Sequence, residues 1–145
     1  MPTWLKIVLV AMAVVLACIT SGVILVVRYA QRHQAEWTQA ADAATKDGEA
    51  FGRGKKLDAC VVESLARLNR CDVLAVTCEA HARIFLQHCT LTAEMPAGFC
   101  QSVPKQSEST RMVRWASAEC VRYGARDVPR CARVITALQD YCGER

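Results

Sequence analysis

Eight cysteines in the C-terminal part of the chain are the residues whose spacing gives the clearest indication of chemistry. Two thiols can join as a disulfide in an oxidising compartment, and thiolates can bind a soft metal such as copper or zinc. Five of the seven gaps between consecutive cysteines are eleven residues long. The eight are Cys60, Cys71, Cys78, Cys89, Cys100, Cys120, Cys131 and Cys142. Their density is typical of a disulfide scaffold and excludes an ordinary cytosolic domain.

The eleven-residue gaps predict disulfides between antiparallel helices rather than within one helix. Eleven residues of α-helix return to nearly the same face about 16.5 Å further along the axis, which is too far for a bond between neighbours. Helices of opposite direction can instead be joined at two levels by an outer and an inner pair. The predicted pairs are Cys60–Cys89 around Cys71–Cys78, and Cys100–Cys142 around Cys120–Cys131. Eight cysteines allow 105 pairings, so other connectivities stay open on spacing alone.

Apolar residues at helical spacing predict an antiparallel hairpin over residues 57–91. Side chains such as Val61, Leu65 and Phe85 fall on the cysteine faces of its two arms, and charged side chains fall mostly elsewhere. The turn is expected between residues 70 and 76, with Asp72 as the capping residue. The hairpin therefore needs both arms to be amphipathic helices.

A second hairpin is predicted over residues 107–142, after an ordered, proline-containing connection that Cys100 holds in place. Ser107 or Ser109 is expected to cap its first helix, and Gly124 to end it. Asp127 and Pro129 are start signals for the last helix. Together the hairpins predict an all-α, disulfide-stapled domain over residues 57–142.

This plan resembles the twin-cysteine coiled-coil-helix family of the mitochondrial intermembrane space, in which paired cysteines join a helical hairpin. That family has nine residues between its cysteines, whereas this chain has ten. The resemblance therefore implies a similar architecture and nothing about activity.

An uncharged run over residues 7–27 predicts a transmembrane anchor, because 21 residues of helix span about 31 Å, the thickness of a bilayer core. Trp4 and Tyr29 flank it at the headgroup level, and residues 1–6 form a short tail. Residues 15–18, ending at Cys18, resemble the lipobox of bacterial lipoproteins, which is one alternative. Cleavage as a secretory signal is the other, although the apolar run is longer than such signals need.

The flanking charges Lys6, Arg28 and Arg32 do not decide the orientation, but the cysteines do, because disulfides are rare in a reducing cytosol. We expect a single-pass protein of the bacterial inner membrane, with its N-terminus inside and its C-terminal domain in the periplasm or extracellular space.

Residues 28–56 are interpreted as a helical stalk that ends at Asp47–Gly48, followed by a flexible glycine-containing linker. The basic cluster Arg53, Lys55 and Lys56 is read as part of that solvated linker, with contact to anionic lipid or a partner as the alternative.

Catalytic and metal-binding patterns are weak in this sequence, and no catalytic, cofactor or metal residue is predicted. Thiol–disulfide oxidoreductases usually present a Cys-x-x-Cys pair, which is absent here. His81 and His88 lie about 10.5 Å apart along a helix, too far to share a metal unaided. Storage of copper or zinc by the cysteines is an alternative function, and thiol–disulfide redox chemistry is a further one.

Binding is the function that the remaining features favour. Arg111, Arg114, Trp115 and Arg122 share one face of a predicted helix, and arginine with tryptophan is a composition that protein interfaces favour. The alternative is a solvated charged face with one incidental aromatic residue. The net charge of +4 is too small and too interspersed for nucleic-acid binding.

Within the membrane helix, small residues form stripes that allow close approach of a second helix, so self-association is an additional hypothesis. The stripes consist of Ala13, Ala17 and Ser21, with Cys18 and Gly22 beside them. The sequence thus predicts a membrane-anchored, extracytoplasmic, cysteine-rich helical module for binding or assembly, with an unidentified protein partner and the bilayer as its contacts and without enzymatic activity.

Overall fold

The computed structural model describes residues 3–71 and 76–143, apart from the side chains of residues 3, 5–10 and 76. The fold is all-α, as the sequence predicts, and no strand occurs within these ranges. The helices are α1 (Thr3–Gly52), α2 (Leu57–Asn69), α3 (Val76–Thr92), α4 (Phe99–Ser102), α5 (Ser109–Arg122), α6 (Val128–Ile135) and α7 (Ala137–Gly143).

Helix α1 is 50 residues long and contains the uncharged run. Among the described helices it alone is long and apolar enough to cross a bilayer, judged by length and composition. The side chains of residues 11–29 are all exposed. The chain divides into two compact units, one ending at Thr38 and the other beginning at Gln39.

The end of α1 differs from the flexible linker expected after Asp47. The helix continues through Gly48 to Gly52, and both glycines are buried against α3. A Cβ atom at Gly48 would collide with the carbonyl oxygen of Phe85, and one at Gly52 with the carbonyl oxygen of Cys89. The two glycines therefore allow close helix packing instead of ending the helix.

The short connection from α1 to α2 is held by backbone hydrogen bonds. Gly54 has a positive φ of 68°, which lets the chain turn sharply. The Glu94 N–H donates to the Lys55 carbonyl at 2.8 Å, and the Leu57 N–H donates to the Glu94 carbonyl at 3.2 Å. The connection is thereby fastened to the segment that follows α3.

Helices α2 and α3 form the first hairpin, and α3 also packs against α6 and α7. Phe85 and Leu86 of α3 are fully buried and belong with Val61 of α2 to one continuous core. Ser64 is buried as well, and its hydroxyl donates to the Ala82 carbonyl at 2.9 Å. The predicted cap Asp72 lies outside the described residues.

The second hairpin is formed by α5 with α6. Asp127 caps α6 as predicted, since its carboxylate accepts from the Arg130 N–H at 3.0 Å. Gly124 lies two residues after the end of α5 and has a positive φ of 66°. The expected caps Ser107 and Ser109 are not used.

Two boundaries in this half differ from the sequence prediction. α5 begins at Ser109, so Glu108 stands at the N-cap, and its carboxylate makes no capping bond to the helix but accepts from the preceding Lys105 N–H at 3.1 Å. The last helix divides at Thr136, whose hydroxyl donates to the Arg133 carbonyl at 2.7 Å. A threonine that bonds to the preceding turn competes with the helix backbone for its carbonyl groups and bends the helix.

Four disulfides join the helices, and they are the pairs that the spacing predicts. Their Cα–Cα distances are 5.4–5.9 Å. The bonds are Cys60–Cys89 and Cys71–Cys78 in the first hairpin, and Cys100–Cys142 and Cys120–Cys131 in the second half. The Cys60–Cys89 and Cys120–Cys131 bonds are fully buried and form part of the hydrophobic core.

Candidate functional site

The sulfur atoms of the helical domain are committed to disulfides, which limits their chemistry. A thiolate is the form of cysteine that binds metals, and these eight cysteines supply none while the bonds stay oxidised. Cys18, on the exposed apolar stretch of α1, is the one free thiol in the described residues. Those residues contain no group of three or more His, Cys, Asp or Glu side chains placed to hold a metal ion.

Two of the three histidines, His33 and His88, pair with carboxylates on a neighbouring turn or helix. His88 Nδ1 lies 3.3 Å from Glu49 Oε1, which links α3 to the end of α1. His33 Nδ1 lies 3.1 Å from Glu36 Oε2 on α1 itself. His81 is half-buried. The structure thus uses His88 to join two helices at the place where the glycines of α1 pack.

The predicted binding residues lie along one side of α5 and are called the α5 surface: Arg111, Arg114, Trp115 and Arg122. Arg111 forms an ion pair with Glu108. Arg122 contacts Asp58, Glu119 and Tyr123. Both arginines are therefore already partly neutralised within the chain. Arg114 is exposed and pairs with no carboxylate among the residues described. Trp115 is half-buried, with part of its ring against the core. The surface therefore offers Arg114 and the outer part of Trp115 to a partner.

Arg122 belongs to a polar contact between the end of α5 and the start of α2. Its guanidinium donates to the Tyr123 hydroxyl at 2.7 Å and lies 4.7 Å from the centre of that ring. The Tyr123 hydroxyl donates to the Asp58 carboxylate, which Arg122 also reaches at 3.3 Å. Burial, and then the hydrogen bond to Asp58, raise the pKa of Tyr123 to about 12. The tyrosine therefore stays neutral at physiological pH.

A second polar contact joins the two hairpins. Glu79 of α3 accepts from the Arg133 guanidinium of α6 at 3.0 Å and lies 3.6 Å from Arg130. The hydrogen bond from Arg133 is the main cause that lowers the pKa of Glu79. Arg83 of α3 similarly donates to Asp140 of α7 at 2.7 Å. These pairs hold helix faces together, so they serve packing rather than binding.

A cleft of about 750 Å³ lies beside the Cys100–Cys142 disulfide, between α4, the start of α5 and the end of α7. The segment 103–107 forms one wall, and Gln139 fastens it by donating to the Pro104 carbonyl at 3.2 Å. Lys105, Glu108 and Arg111 are the charged side chains in its lining, so two cations face one carboxylate. The volume falls in the range of sites that take a small molecule or a short peptide segment.

No protein-family model, curated protein or solved structure matches the chain.

The sequence predicts the α5 surface as a binding face but gives no sign of the polar contacts or of the cleft. Arg111 lines the cleft in addition to lying on the α5 surface, and Arg122 faces α2. Glu79 and Arg133 are 54 positions apart, and Asp58 and Tyr123 are 65 positions apart. No local spacing signals such pairs, because they meet only after the two hairpins have packed. The G-x-x-x-G spacing of Gly48 and Gly52 was the one signal that could have revealed the packing of α1 on α3.

Proposed function

We propose that this protein is a membrane-anchored, extracytoplasmic binding or assembly module. Residues 7–27 span the bilayer, the N-terminus is in the cytoplasm, and the disulfide-stapled domain lies in the periplasm of a bacterium or outside the cell. Its activity is to bind a protein partner and not to catalyse a reaction.

One observation carries this proposal: the same chain joins a long, exposed apolar helix to a core built around two buried disulfides. Each disulfide contributes about 2–4 kcal/mol, comparable to the total stability of a domain of this size, so folding depends on oxidation. An oxidising compartment beyond a membrane supplies that condition, and the apolar helix keeps the domain at that membrane.

The α5 surface supports binding as the task of the domain. Arginine and tryptophan are the residue types that most often dominate binding energy when a partner covers them. Arg114 is exposed without an ion pair among the described residues, so a partner's carboxylate can approach it without displacing another. Trp115 is anchored against the core, so its outer edge is presented with little conformational entropy to lose.

The location is tested with spheroplasts, which keep the cytoplasmic membrane closed, prepared from cells that express the full chain. A membrane-impermeant protease added outside the cytoplasmic membrane should degrade the helical domain and leave the anchor. Mass measurement after alkylation without reductant should find eight protected sulfurs in the domain. A domain that resists the protease until the membrane is opened, or eight free thiols, would contradict the proposed location.

The binding role is tested by in-cell cross-linking of the full chain and of the double variant Arg114→Glu, Trp115→Ala. The variant should lose a cross-linked partner that the wild type forms. Arg126→Glu is the matched control, since Arg126 is exposed but lies outside α5. Equal loss in the control variant, or no loss in the double variant, would argue against this surface.

Copper or zinc storage is distinguished by metal content. A protein that is isolated with several metal ions and with reduced cysteines would support storage and would replace the binding proposal. An oxidised, metal-free protein would support the binding module.

A further inference from the structure

The four disulfides differ sharply in their access to solvent. The half-cystines of Cys60–Cys89 and Cys120–Cys131 are 0% exposed. Cys71 and Cys78 are half-buried, and the Cys71 sulfur lies 3.5 Å from the carbonyl oxygen of Arg67.

Cys100 is exposed, and it differs in this from the other seven half-cystines. Its partner Cys142 is half-buried, and both line the 750 Å³ cleft. A cleft next to a disulfide leaves room for a group that approaches the sulfur, whereas the buried bonds have none. Thiol–disulfide exchange requires such access, because a thiolate must reach one sulfur of the bond.

The charges of the cleft suit a thiolate. Lys105 and Arg111 contribute two positive charges and Glu108 one negative charge. The Glu108 carboxylate is occupied by the Lys105 N–H and by Arg111. The surplus cation is Lys105, an exposed residue that lines the same cleft as Cys100 and Cys142, and a cation beside a sulfur favours its thiolate form.

We propose that Cys100–Cys142 is an exchange-competent disulfide, and that the cleft admits the reactive segment of a reduced protein dithiol of the Cys-x-x-Cys class. The partner thiolate attacks Cys100 Sγ, forms a mixed disulfide, and expels Cys142 as a thiolate that takes up a proton from solvent. The second thiol of the partner then attacks the mixed disulfide. Cys100 leaves as a thiolate and takes up the proton that the second thiol of the partner has lost, and the partner leaves as a disulfide, so two electrons pass from partner to protein.

The exchange would release the link between α4 and α7 without opening the core. The Cys100–Cys142 bond closes a loop with a sequence separation of 42, whereas the core bonds Cys60–Cys89 and Cys120–Cys131 stay protected. The hydrogen bond from Gln139 to the Pro104 carbonyl would still join the wall of the cleft to α7 after the disulfide opens. Reduction at this site therefore loosens the cleft first.

The test uses the oxidised full chain in detergent micelles under native conditions. Dithiothreitol is added, and thiols are trapped with N-ethylmaleimide at timed intervals and assigned by peptide mass mapping. Cys100 and Cys142 should be labelled about tenfold faster than any other cysteine of the domain. Opening of Cys71–Cys78 first, or of all four bonds together, would overturn the proposal.

The class of partner is tested with a thioredoxin-type protein dithiol whose resolving cysteine is replaced by serine, beside reduced glutathione as a small thiol. A stable mixed disulfide of the protein probe with Cys100 supports the proposal. Reaction with glutathione but not with the protein probe would show that the cleft excludes a protein segment and would overturn the proposed class of partner. A mixed disulfide at another cysteine would overturn the site.

The contribution of the cleft charge is tested with Lys105→Gln, which should slow reduction at Cys100 about threefold. Arg126→Gln, which changes an exposed cation outside the cleft lining, should leave the rate unchanged. Equal rates in wild type and Lys105→Gln would contradict the electrostatic part.

The proposed exchange and the proposed function both require that the domain is oxidised, and they depend on no other common feature. The sulfur count before reduction tests that shared premise, and the α5 surface variants leave the exchange untouched, so the two can fail separately.

Discussion

Tyr123 holds the end of α5 against the start of α2 through a hydroxyl group that Arg122 and Asp58 share. A hydroxyl in this position donates to the carboxylate and accepts from the guanidinium, so one neutral group gives both charged groups a hydrogen-bond partner. The arrangement depends on the protonated tyrosine. A phenolate next to Asp58 would place two negative charges in contact.

We predict that Tyr123 makes the stability of the domain sensitive to alkaline pH. Its pKa is raised from 10 to about 12, so its contribution is fully present below pH 10 and is lost as the pH rises toward 12. Titration of tyrosinate absorbance should show a step near pH 12 that is missing in Tyr123→Phe. The same variant should unfold about 1 kcal/mol more easily at neutral pH, because Asp58 and Arg122 lose a hydrogen-bond partner. Ionisation of Tyr123 near pH 10 would refute the burial argument.

We predict that Glu79 gives the domain a dependence on acidic pH. Hydrogen bonding to Arg133 lowers its pKa below the ordinary value of 4.5, so the contribution is present above pH 4.5 and is lost as the pH falls through the lowered pKa. Glu79→Gln should be less stable than wild type at pH 7, and the difference should shrink in acid. Denaturant unfolding at several pH values measures it. Glu94→Gln, an exposed glutamate without a described ion pair, serves as the control.

The final turns of α1 pack closely against α3 because two of their residues are glycines, which have no side chains. Gly48 and Gly52 lie one turn apart and face α3, so the backbones of the two helices approach closely. The Thr92 hydroxyl donates to the Glu49 carbonyl at 3.0 Å, and the rings of Phe51 and Phe85 lie 5.7 Å apart beside this contact. The end of α1 is thereby part of the helical domain.

We predict that Gly48→Ala and Gly52→Ala each destabilise the domain by about 1–3 kcal/mol, because the added methyl group collides with the backbone of α3. Gly143→Ala is the matched control, since a Cβ there meets no atom within 4 Å. Alanine favours helix more than glycine does, so the control should be neutral or slightly stabilising. Stabilisation by all three substitutions would mean that the glycines are not packing positions.

At the scale of the whole molecule, disulfides supply much of the stability that a small hydrophobic core cannot provide. The first hairpin carries one buried bond with a sequence separation of 29 and one with a separation of 7 near its tip. A longer closed loop restricts the unfolded chain more, so the two bonds should contribute unequally.

We predict that Cys60→Ala with Cys89→Ala costs about 4 kcal/mol or more, and that Cys71→Ala with Cys78→Ala costs about 2.5 kcal/mol. The first pair also leaves a cavity in the core, which adds to the loop term. Chemical denaturation of the full-length double variants in detergent, followed by circular dichroism, measures the difference. Equal costs would show that loop length and burial do not govern these bonds.

The sequence by itself determined the features that depend on local geometry. The rise and twist of an α-helix are fixed, so eleven-residue gaps favoured a nested pairing between antiparallel helices over other connectivities, and an uncharged run of 21 residues predicted a candidate span. Asp127 was likewise recognisable as a cap, because capping involves a residue and the helix that it begins.

Only the tertiary structure decided what lies between helices. The contacts of Glu79 with Arg133 and of Asp58 with Tyr123, and the cleft beside Cys100, depend on how the hairpins cross, which no spacing within one helix encodes. A glycine such as Gly48 looks the same in the sequence whether it ends a helix or lets that helix pack closely against another. The distinction is made by α3, a separate element whose backbone occupies the space that a side chain would need.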